Sequence, residues 1–178
     1  MTYEEMIEDE TVIEGMNTKV MSDEEMDTIY IPDVEYMNID GISRVLQILM
    51  PRKRNMNHEK YPLIVYVQGS AWHQQNVYQH VGQLNYLCKQ GFVVAIVQYR
   101  ESDIAPFPAQ IEDTKTAIRF LKKHSEEYHI DNKNTFLFGD SSGGHVALLA
   151  GLTSHLNMMD THLYKEYSYD IKGIIDFY

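Results

Sequence analysis

The sequence predicts an α/β fold in which a mostly parallel sheet carries helices on both faces. Three observations predict it. Short, nearly continuous apolar runs rich in Val and Ile recur along the chain, as in strands that are buried on both faces. Segments with apolar residues at helical spacing separate these runs. Glycine and proline lie where one pattern gives way to the other. Strands and helices therefore alternate, as a parallel sheet requires.

The first elements precede this alternation. Residues 1–33 are acidic and rich in methionine, and we assign them to an N-terminal arm that could form part of a lid. Residues 34–37 and 42–50 favour two antiparallel strands, because an Asp-Gly pair between them is a typical hairpin turn. Residues 34–178 are assigned to one domain, since neither a linker nor an internal repeat divides them.

The alternating part contains four predicted buried strands, at residues 62–68, 92–99, 135–139 and 173–178. Three helices are predicted between them, at 73–90, from the prolines at 106 and 108 to about Tyr128, and at 141–152. Gly91 favours the end of the first helix, because glycine commonly follows helix C-termini.

Composition limits the possible partners. The chain has 15 Lys and Arg against 26 Asp and Glu, a formal charge of −11, so nucleic acid is a poor partner. It has neither an apolar run of transmembrane length nor a recognisable signal peptide. The single cysteine, Cys88, is predicted to pack in a helix, and one cysteine is compatible with a reducing compartment. We expect a cytoplasmic protein that does not bind membranes.

The most informative motif is Gly-Asp-Ser-Ser-Gly-Gly at residues 139–144, with Ser141 at the centre of a G-x-S-x-G pattern. It lies between a predicted strand and a predicted helix, which is the setting of a nucleophile elbow. Such a turn strains the serine backbone, and the flanking glycines remove collisions. The alternative is a glycine-rich turn without a catalytic role, as in nucleotide-binding proteins. Residues 139–144 lack both the lysine of a phosphate-binding loop and the glycine spacing of a dinucleotide-binding turn. We predict neither a metal nor an organic cofactor.

A second motif, Gln-Gly-Ser-Ala-Trp, follows the predicted strand at 62–68. Acyl transfer needs two backbone N–H donors for the oxyanion, one from the residue after the nucleophile, here Ser142, and one from a loop after the third strand. Ser70 and Ala71 are the loop candidates, with Ser70 favoured, and Gly69 and Trp72 are predicted to line the pocket. The alternative is a plain turn in which Trp72 anchors the core.

With these motifs in this order, the sequence resembles α/β-hydrolase esterases and lipases, particularly the hormone-sensitive-lipase-like and BD-FAE-type (bifunctional feruloyl and acetylxylan esterase) branches. Further similar features are Tyr99-Arg100, residues 105–110, Asp113, residues 128–131 and His145. The resemblance implies a serine carboxylesterase that hydrolyses short acyl esters, such as acetyl or feruloyl esters. One departure is Gln-Gly-Ser-Ala at 68–71, where these families have His-Gly-Gly-Gly.

The resemblance also implies a catalytic Asp and His, in that order, beyond Tyr178. The histidines at hand offer no clear substitute: we interpret His145 as structural, His73 as a weak candidate base, and Asp176 as a structural or pocket residue. We therefore expect the 178-residue chain itself to be inactive or incomplete. The resemblance further implies that the chain lacks the last strands of the sheet, since two more strands follow residues 173–178 in these families. Residues 173–178 would then form an exposed sheet edge, through which the chain could form a homo-oligomer.

Two other functions remain open. The chain could be a non-catalytic or inactive binding protein on a hydrolase fold, as the altered loop at 68–71 suggests. It could also hydrolyse small amides or peptides with the same serine.

Overall fold

A computed structural model describes residues 14, 15, 17, 25–53 and 59–178. Six strands form one sheet in the order β1-β2-β4-β3-β5-β6. Their bounds are β1 Asp27–Ile39, β2 Ile42–Arg52, β3 Tyr61–Val67, β4 Val93–Val97, β5 Ile130–Asp140 and β6 Gly173–Phe177. The pairs β1–β2 and β2–β4 are antiparallel, whereas β4, β3, β5 and β6 run parallel. The predicted mostly parallel sheet is confirmed.

The opening hairpin is also confirmed, with a longer first strand than predicted. Asp40 and Gly41 both have positive φ, 53° and 80°, as the expected two-residue turn requires. β1 begins at Asp27, so residues 27–33, which the sequence analysis placed in the arm, belong to the sheet. Pairing continues to Asp27 because β2 extends opposite it to Arg52. Most of the remaining arm lies outside the described residues.

Three helices cover the two faces of the sheet: α1 Val81–Lys89, α2 Ala109–Lys123 and α3 Ser142–Leu152. On one face, Leu84 and Cys88 of α1 pack in an apolar cluster with side chains of β2, β3 and β4. On the other face, α2 and α3 pack in a second cluster against alternate residues of the same strands. The predicted helices on both faces are therefore confirmed. Burial raises the pKa of the Cys88 thiol, as expected for a packed cysteine rather than a reactive one.

The predicted helix at 73–90 is wrong in its first half. Residues 73–80 form a loop because the buried Gln75 side chain bonds to backbone groups instead of facing solvent from a helix. Its Nε2 donates to the carbonyl of His73 at 2.5 Å, and its Oε1 accepts from the Tyr99 N–H at 3.0 Å. The second helix likewise ends at Lys123 rather than near Tyr128, because the chain turns there to enter β5.

The sheet topology brings the two predicted motifs together. Val67, the last residue of β3, pairs with Gly139 near the end of β5. The loop after β3 and the turn after β5 therefore leave the sheet side by side, at the carboxyl edge of parallel strands, where ligands of such sheets bind.

The last strand is more exposed than predicted, because its apolar sequence was interpreted as a buried strand. β6 lies at the edge of the sheet, and its side chains Ile175 and Phe177 are 43% and 65% exposed. Self-association through this edge stays a prediction. Within the part of the chain that the structure describes, no helix has the length and apolar character needed to cross a bilayer.

Candidate active site

The turn between β5 and α3 has the strained geometry of a nucleophile elbow. Ser141 adopts φ 49° and ψ −128°, a conformation that L residues rarely occupy. A Cβ on Gly139 would lie 2.4 Å from the carbonyl oxygen of Gly143, and one on Gly143 would lie 2.1 Å from that of Val67. Both glycines of the G-x-S-x-G pattern are therefore required by close backbone approaches. The Ser141 N–H donates to the carbonyl of Phe177 at 3.0 Å, which anchors the turn to β6.

The Ser141 side chain is exposed and makes no hydrogen bond with any described residue. His145, one helical turn later, is bound elsewhere: its Nδ1 accepts from the indole N–H of Trp72 at 3.4 Å, and the two rings pack edge to face with centroids 5.5 Å apart. The exposed His73 ring pairs with Asp103, with 3.1 Å between Nδ1 and Oδ1. Neither histidine is hydrogen-bonded to Ser141 in this structure.

The loop after β3 packs directly on this turn. A Cβ on Gly69 would lie 2.5 Å from the Asp140 carbonyl oxygen and 2.8 Å from Cβ of Ser141, so only glycine fits there. Gly69 is therefore a packing residue of the elbow. Trp72 is 38% exposed, which makes the core-anchor alternative for this residue wrong.

Asp140 joins the two motifs, a role that sequence reasoning missed. Its Oδ1 accepts from the Gly69 N–H at 3.0 Å and from the Tyr66 hydroxyl at 2.6 Å. Burial and the hydrogen bond to Asp140 raise the pKa of Tyr66 well above its ordinary value, so the phenol stays a donor. A signal was available: a tyrosine near the end of a buried strand needs a partner for its hydroxyl.

The candidate oxyanion donors differ in what they contact. The Ser70 N–H donates to Oγ of Ser142 at 2.9 Å, and the Trp72 N–H donates to the same oxygen at 3.3 Å. The N–H groups of Ala71 and Ser142 have no hydrogen-bond partner among the described residues. The Ser142 N–H is free because it begins α3, where the first amides of a helix have no internal acceptor.

A cavity of about 280 Å³ lies against Trp72 and His145, which is one helical turn after Ser141. Aromatic and aliphatic side chains dominate its lining, which consists of Trp72, Ser102, Phe107, Gln110, Ile111 and His145. Trp72 is among the residues that line this cavity, and a substrate-pocket role for Trp72 and Gly69 stays a prediction. Small-molecule sites commonly combine such apolar walls with a few polar groups.

A buried ion pair supports the cavity wall. The backbone N–H of Arg100 donates to the Asp113 carboxylate at 2.7 Å, and Nε of its guanidinium donates to the same carboxylate at 3.0 Å. The Asp113 side chain is fully buried. Gln110 donates to the carbonyls of Arg100 and Ala105 at 2.9 and 2.8 Å. These contacts fix the segment that carries Phe107 to the cavity.

Asp176, predicted to have a structural or pocket role, lies against the first turn of α3. A Cβ on Gly144 would lie 2.1 Å from its Oδ1. A carboxylate there faces the positive end of the helix. Within residues 25–53 and 59–178, no group of three or more His, Cys, Asp or Glu side chains is arranged to hold a metal ion.

Comparisons with known proteins show which families the chain is similar to. Among curated proteins, the chain is 30% identical over 143 residues to probable carboxylesterase 5 of Arabidopsis thaliana, covering 71% of this chain and 44% of that protein. It is 32% identical over 105 residues to esterase LipC of Mycobacterium tuberculosis, covering 58% of this chain and 26% of that protein. The chain therefore spans less than half the length of these curated relatives.

Solved structures give the same fold. A bifunctional GH43-CE protein of Bacteroides eggerthii superposes with a TM-score of 0.69 at 30% identity, covering 87% of this chain and 22% of that one. Esterase 2 of Thermogutta terrifontis superposes with a TM-score of 0.69 at 21% identity, covering 84% of this chain and 55% of that one. The model of the BD-FAE family matches residues 46–178. Because this match takes in most of the chain, the protein has the α/β-hydrolase fold and belongs to the BD-FAE family.

Proposed function

We propose that the protein containing this chain is a serine carboxylesterase and that Ser141 carries the acyl group. The observation that carries the proposal is the backbone of Ser141, held at φ 49° between two glycines whose replacement the surrounding backbone forbids. Strain of this kind is retained where function requires it, and it leaves the serine hydroxyl exposed at the carboxyl edge of the sheet. The carboxylesterases among its relatives support the same reaction.

In the proposed reaction, Oγ of Ser141 attacks the ester carbonyl carbon and loses its proton to a histidine. The carbonyl oxygen becomes an oxyanion, which accepts hydrogen bonds from the Ser142 N–H and from a second N–H of the loop at 68–72. The alcohol leaves with the proton that the histidine returns, and water then releases the acid from Ser141.

The base and its supporting carboxylate belong to the proposal rather than to the described residues. No described side chain accepts a hydrogen bond from Ser141, and an unassisted serine hydroxyl is a weak nucleophile at neutral pH. We place the histidine and the acid in sequence after Tyr178, as the family resemblance implies. The 178-residue chain alone is then expected to react slowly.

We assign the acyl group to the apolar cavity that Trp72 and His145 line. Its volume of about 280 Å³ and its apolar walls, which include Trp72, Phe107 and Ile111, suit an acetyl group or a flat aromatic acyl group such as feruloyl. An apolar wall stabilises the hydrocarbon part of such a group by removing its apolar surface from water.

The test is labelling with a fluorophosphonate probe, which reacts with activated serines. Labelling should occur in the protein containing this chain and disappear in Ser141→Ala. The matched control is Ser125→Ala, which removes a buried hydroxyl that accepts from Asn132 at 2.9 Å, away from the elbow. This control should label as the parent does.

Hydrolysis rates then separate the remaining functions. Turnover of p-nitrophenyl acetate that depends on Ser141 and exceeds turnover of p-nitroacetanilide supports an esterase. Faster turnover of the anilide would instead indicate an amidase. If the parent and Ser141→Ala label equally little, the non-catalytic binding function replaces the proposal.

A further inference from the structure

We propose that the Ser142 hydroxyl is a positioning residue. It holds the oxyanion loop, defined here as residues 68–73, so that the N–H of Ala71, and not that of Ser70, faces the substrate oxygen. This inference rests on the proposed function for its catalytic meaning, whereas its structural content can be tested without any activity.

The oxyanion loop contains strained residues that must be held by contacts. Ala71 and Trp72 have φ values of 50° and 61°, in the left-handed region that glycine occupies freely and other residues avoid. Two consecutive residues of this kind do not keep such a conformation by local preference. Interactions from outside the loop therefore have to fix it.

An inventory of the loop amides identifies the groups that do so. The Gly69 N–H donates to Asp140, and the His73 N–H donates to the carbonyl of Ser70 at 3.0 Å. The N–H groups of Ser70 and Trp72 both donate to Oγ of Ser142, at 2.9 and 3.3 Å. Among the amides of residues 69–73, only the Ala71 N–H lacks an acceptor among the described residues, and Ala71 is exposed. Because buried amides are nearly always paired, the unpaired, exposed amide is the one available to a ligand.

The loop carbonyls are fixed separately. Oγ of Ser70 donates to the carbonyl of His73 at 2.6 Å and lies 3.0 Å from the Tyr99 hydroxyl. The Tyr99 hydroxyl lies 2.9 Å from the carbonyl of Gln68, to which it donates. These bonds hold the two ends of the loop. Its strained middle, on either side of Ala71, is held by the Ser142 hydroxyl and by the Ser102 N–H, which donates to the carbonyl of Trp72 at 2.8 Å.

Ser142 can influence both proposed oxyanion donors, its own N–H and the N–H of Ala71. It is 3% exposed, its own N–H is the other candidate oxyanion donor, and its side chain reaches across to the loop. One residue thus supplies one donor directly and sets the position of the second. Replacing Ser142 with alanine keeps its N–H but leaves the amides of Ser70 and Trp72 without their acceptor.

The first experiment measures the loop in the chain itself. Trp72 is the only tryptophan in the sequence, so its fluorescence reports this loop alone. Ser142→Ala should shift the Trp72 emission, increase its quenching by acrylamide, and speed hydrogen exchange of the Ser70 and Trp72 amides about 10-fold. Ser142→Thr retains an oxygen acceptor and should restore slow exchange, and Ser125→Ala should leave all three signals unchanged. Circular dichroism shows whether each variant is folded.

Unchanged exchange at Ser70 and Trp72 in a folded Ser142→Ala variant would overturn the inference. A matching change in Ser125→Ala would also overturn it, because the effect would then be one of general stability.

The second experiment measures catalysis in the protein containing this chain. Ser142→Ala should lower kcat on p-nitrophenyl acetate on the order of 10- to 100-fold with little change in KM, less than the loss of an oxyanion donor itself. A variant that reacts as fast as the parent, or faster, would show that the hydroxyl does not position a donor. If no form of the protein labels with the fluorophosphonate, the esterase proposal fails, and the exchange data alone decide whether Ser142 holds the loop.

Discussion

The elbow at Ser141 and the oxyanion loop both keep residues in a strained backbone conformation, but by different means. Both hold non-glycine residues at positive φ beside the same edge of the sheet. The elbow does so with glycines at fixed sequence spacing, since Gly139 and Gly143 provide the space that the turn needs. The loop has only Gly69 and keeps its strained residues in place through hydrogen bonds.

This difference shows which strained regions can be recognised from local sequence alone. A turn limited by space can be recognised from its glycines, because no other residue fits. A loop with a single glycine depends on distant side chains instead, here Asp140, Ser142 and Tyr99. The elbow should therefore respond most to added volume, and the loop to the loss of hydroxyl groups.

The largest expected effect is at Gly143. Gly143→Ala places a Cβ 2.1 Å from the Val67 carbonyl oxygen, so β3 and α3 must separate. We expect the free energy of unfolding to fall by about 3 kcal/mol or more, the upper range for overpacking, measured by urea denaturation. Gly82→Ala is the control: Gly82 lies in α1 with nothing within 4 Å, so alanine should stabilise by about 0.5–1 kcal/mol. Equal effects at the two sites would contradict the spatial argument.

A smaller loss is expected at the contact that joins the two regions. Tyr66→Phe removes the hydroxyl that donates to Asp140 at 2.6 Å and leaves a carboxylate that still accepts from Gly69. Hydrogen bonds to a charged group contribute about 1.5–3 kcal/mol, so we expect destabilisation near the lower end of that range. Tyr86→Phe is the matched control, since Tyr86 is 69% exposed. A Tyr66→Phe variant as stable as Tyr86→Phe would show that Asp140 does not join the regions.

The smallest effect has the opposite sign. Ala71→Gly relieves a positive φ of 50° at an exposed position. The left-handed conformation costs about 1–2 kcal/mol for a non-glycine residue, whereas glycine destabilises the folded protein by about 0.5–1 kcal/mol because its unfolded chain has more conformational entropy. We therefore expect Ala71→Gly to raise the free energy of unfolding by about 0.5–1 kcal/mol, measured by thermal denaturation. Ala109→Gly, at the start of α2, should destabilise instead; a loss at both sites would mean that Ala71 is not strained.

Sequence alone determined the order of strands and helices after Ile42, the hairpin at Asp40-Gly41, and the strand–turn–helix around Ser141. Apolar periodicity and glycine spacing encode these features locally. The sequence prediction failed at residues 73–80, because the side-chain amide of Gln75 bonds to two backbone groups there. One is the His73 carbonyl in the same loop, and the other is the Tyr99 N–H, which is distant in sequence. It also missed the beginning of β1, because residues 27–33 depend on their pairing with β2.

Only the tertiary structure decided how the two motifs meet. The sequence named Ser70, Ala71 and Ser142 as candidate donors and favoured Ser70 over Ala71 in the loop, without knowing what each amide contacts. The parallel register of Val67 with Gly139 brings the loop onto the elbow, and the Ser142 hydroxyl then takes the Ser70 amide and leaves the Ala71 amide unpaired. Hydrogen-bond partners are set by distance in space, and residues 72 positions apart along the chain acquire that distance only when the sheet has formed.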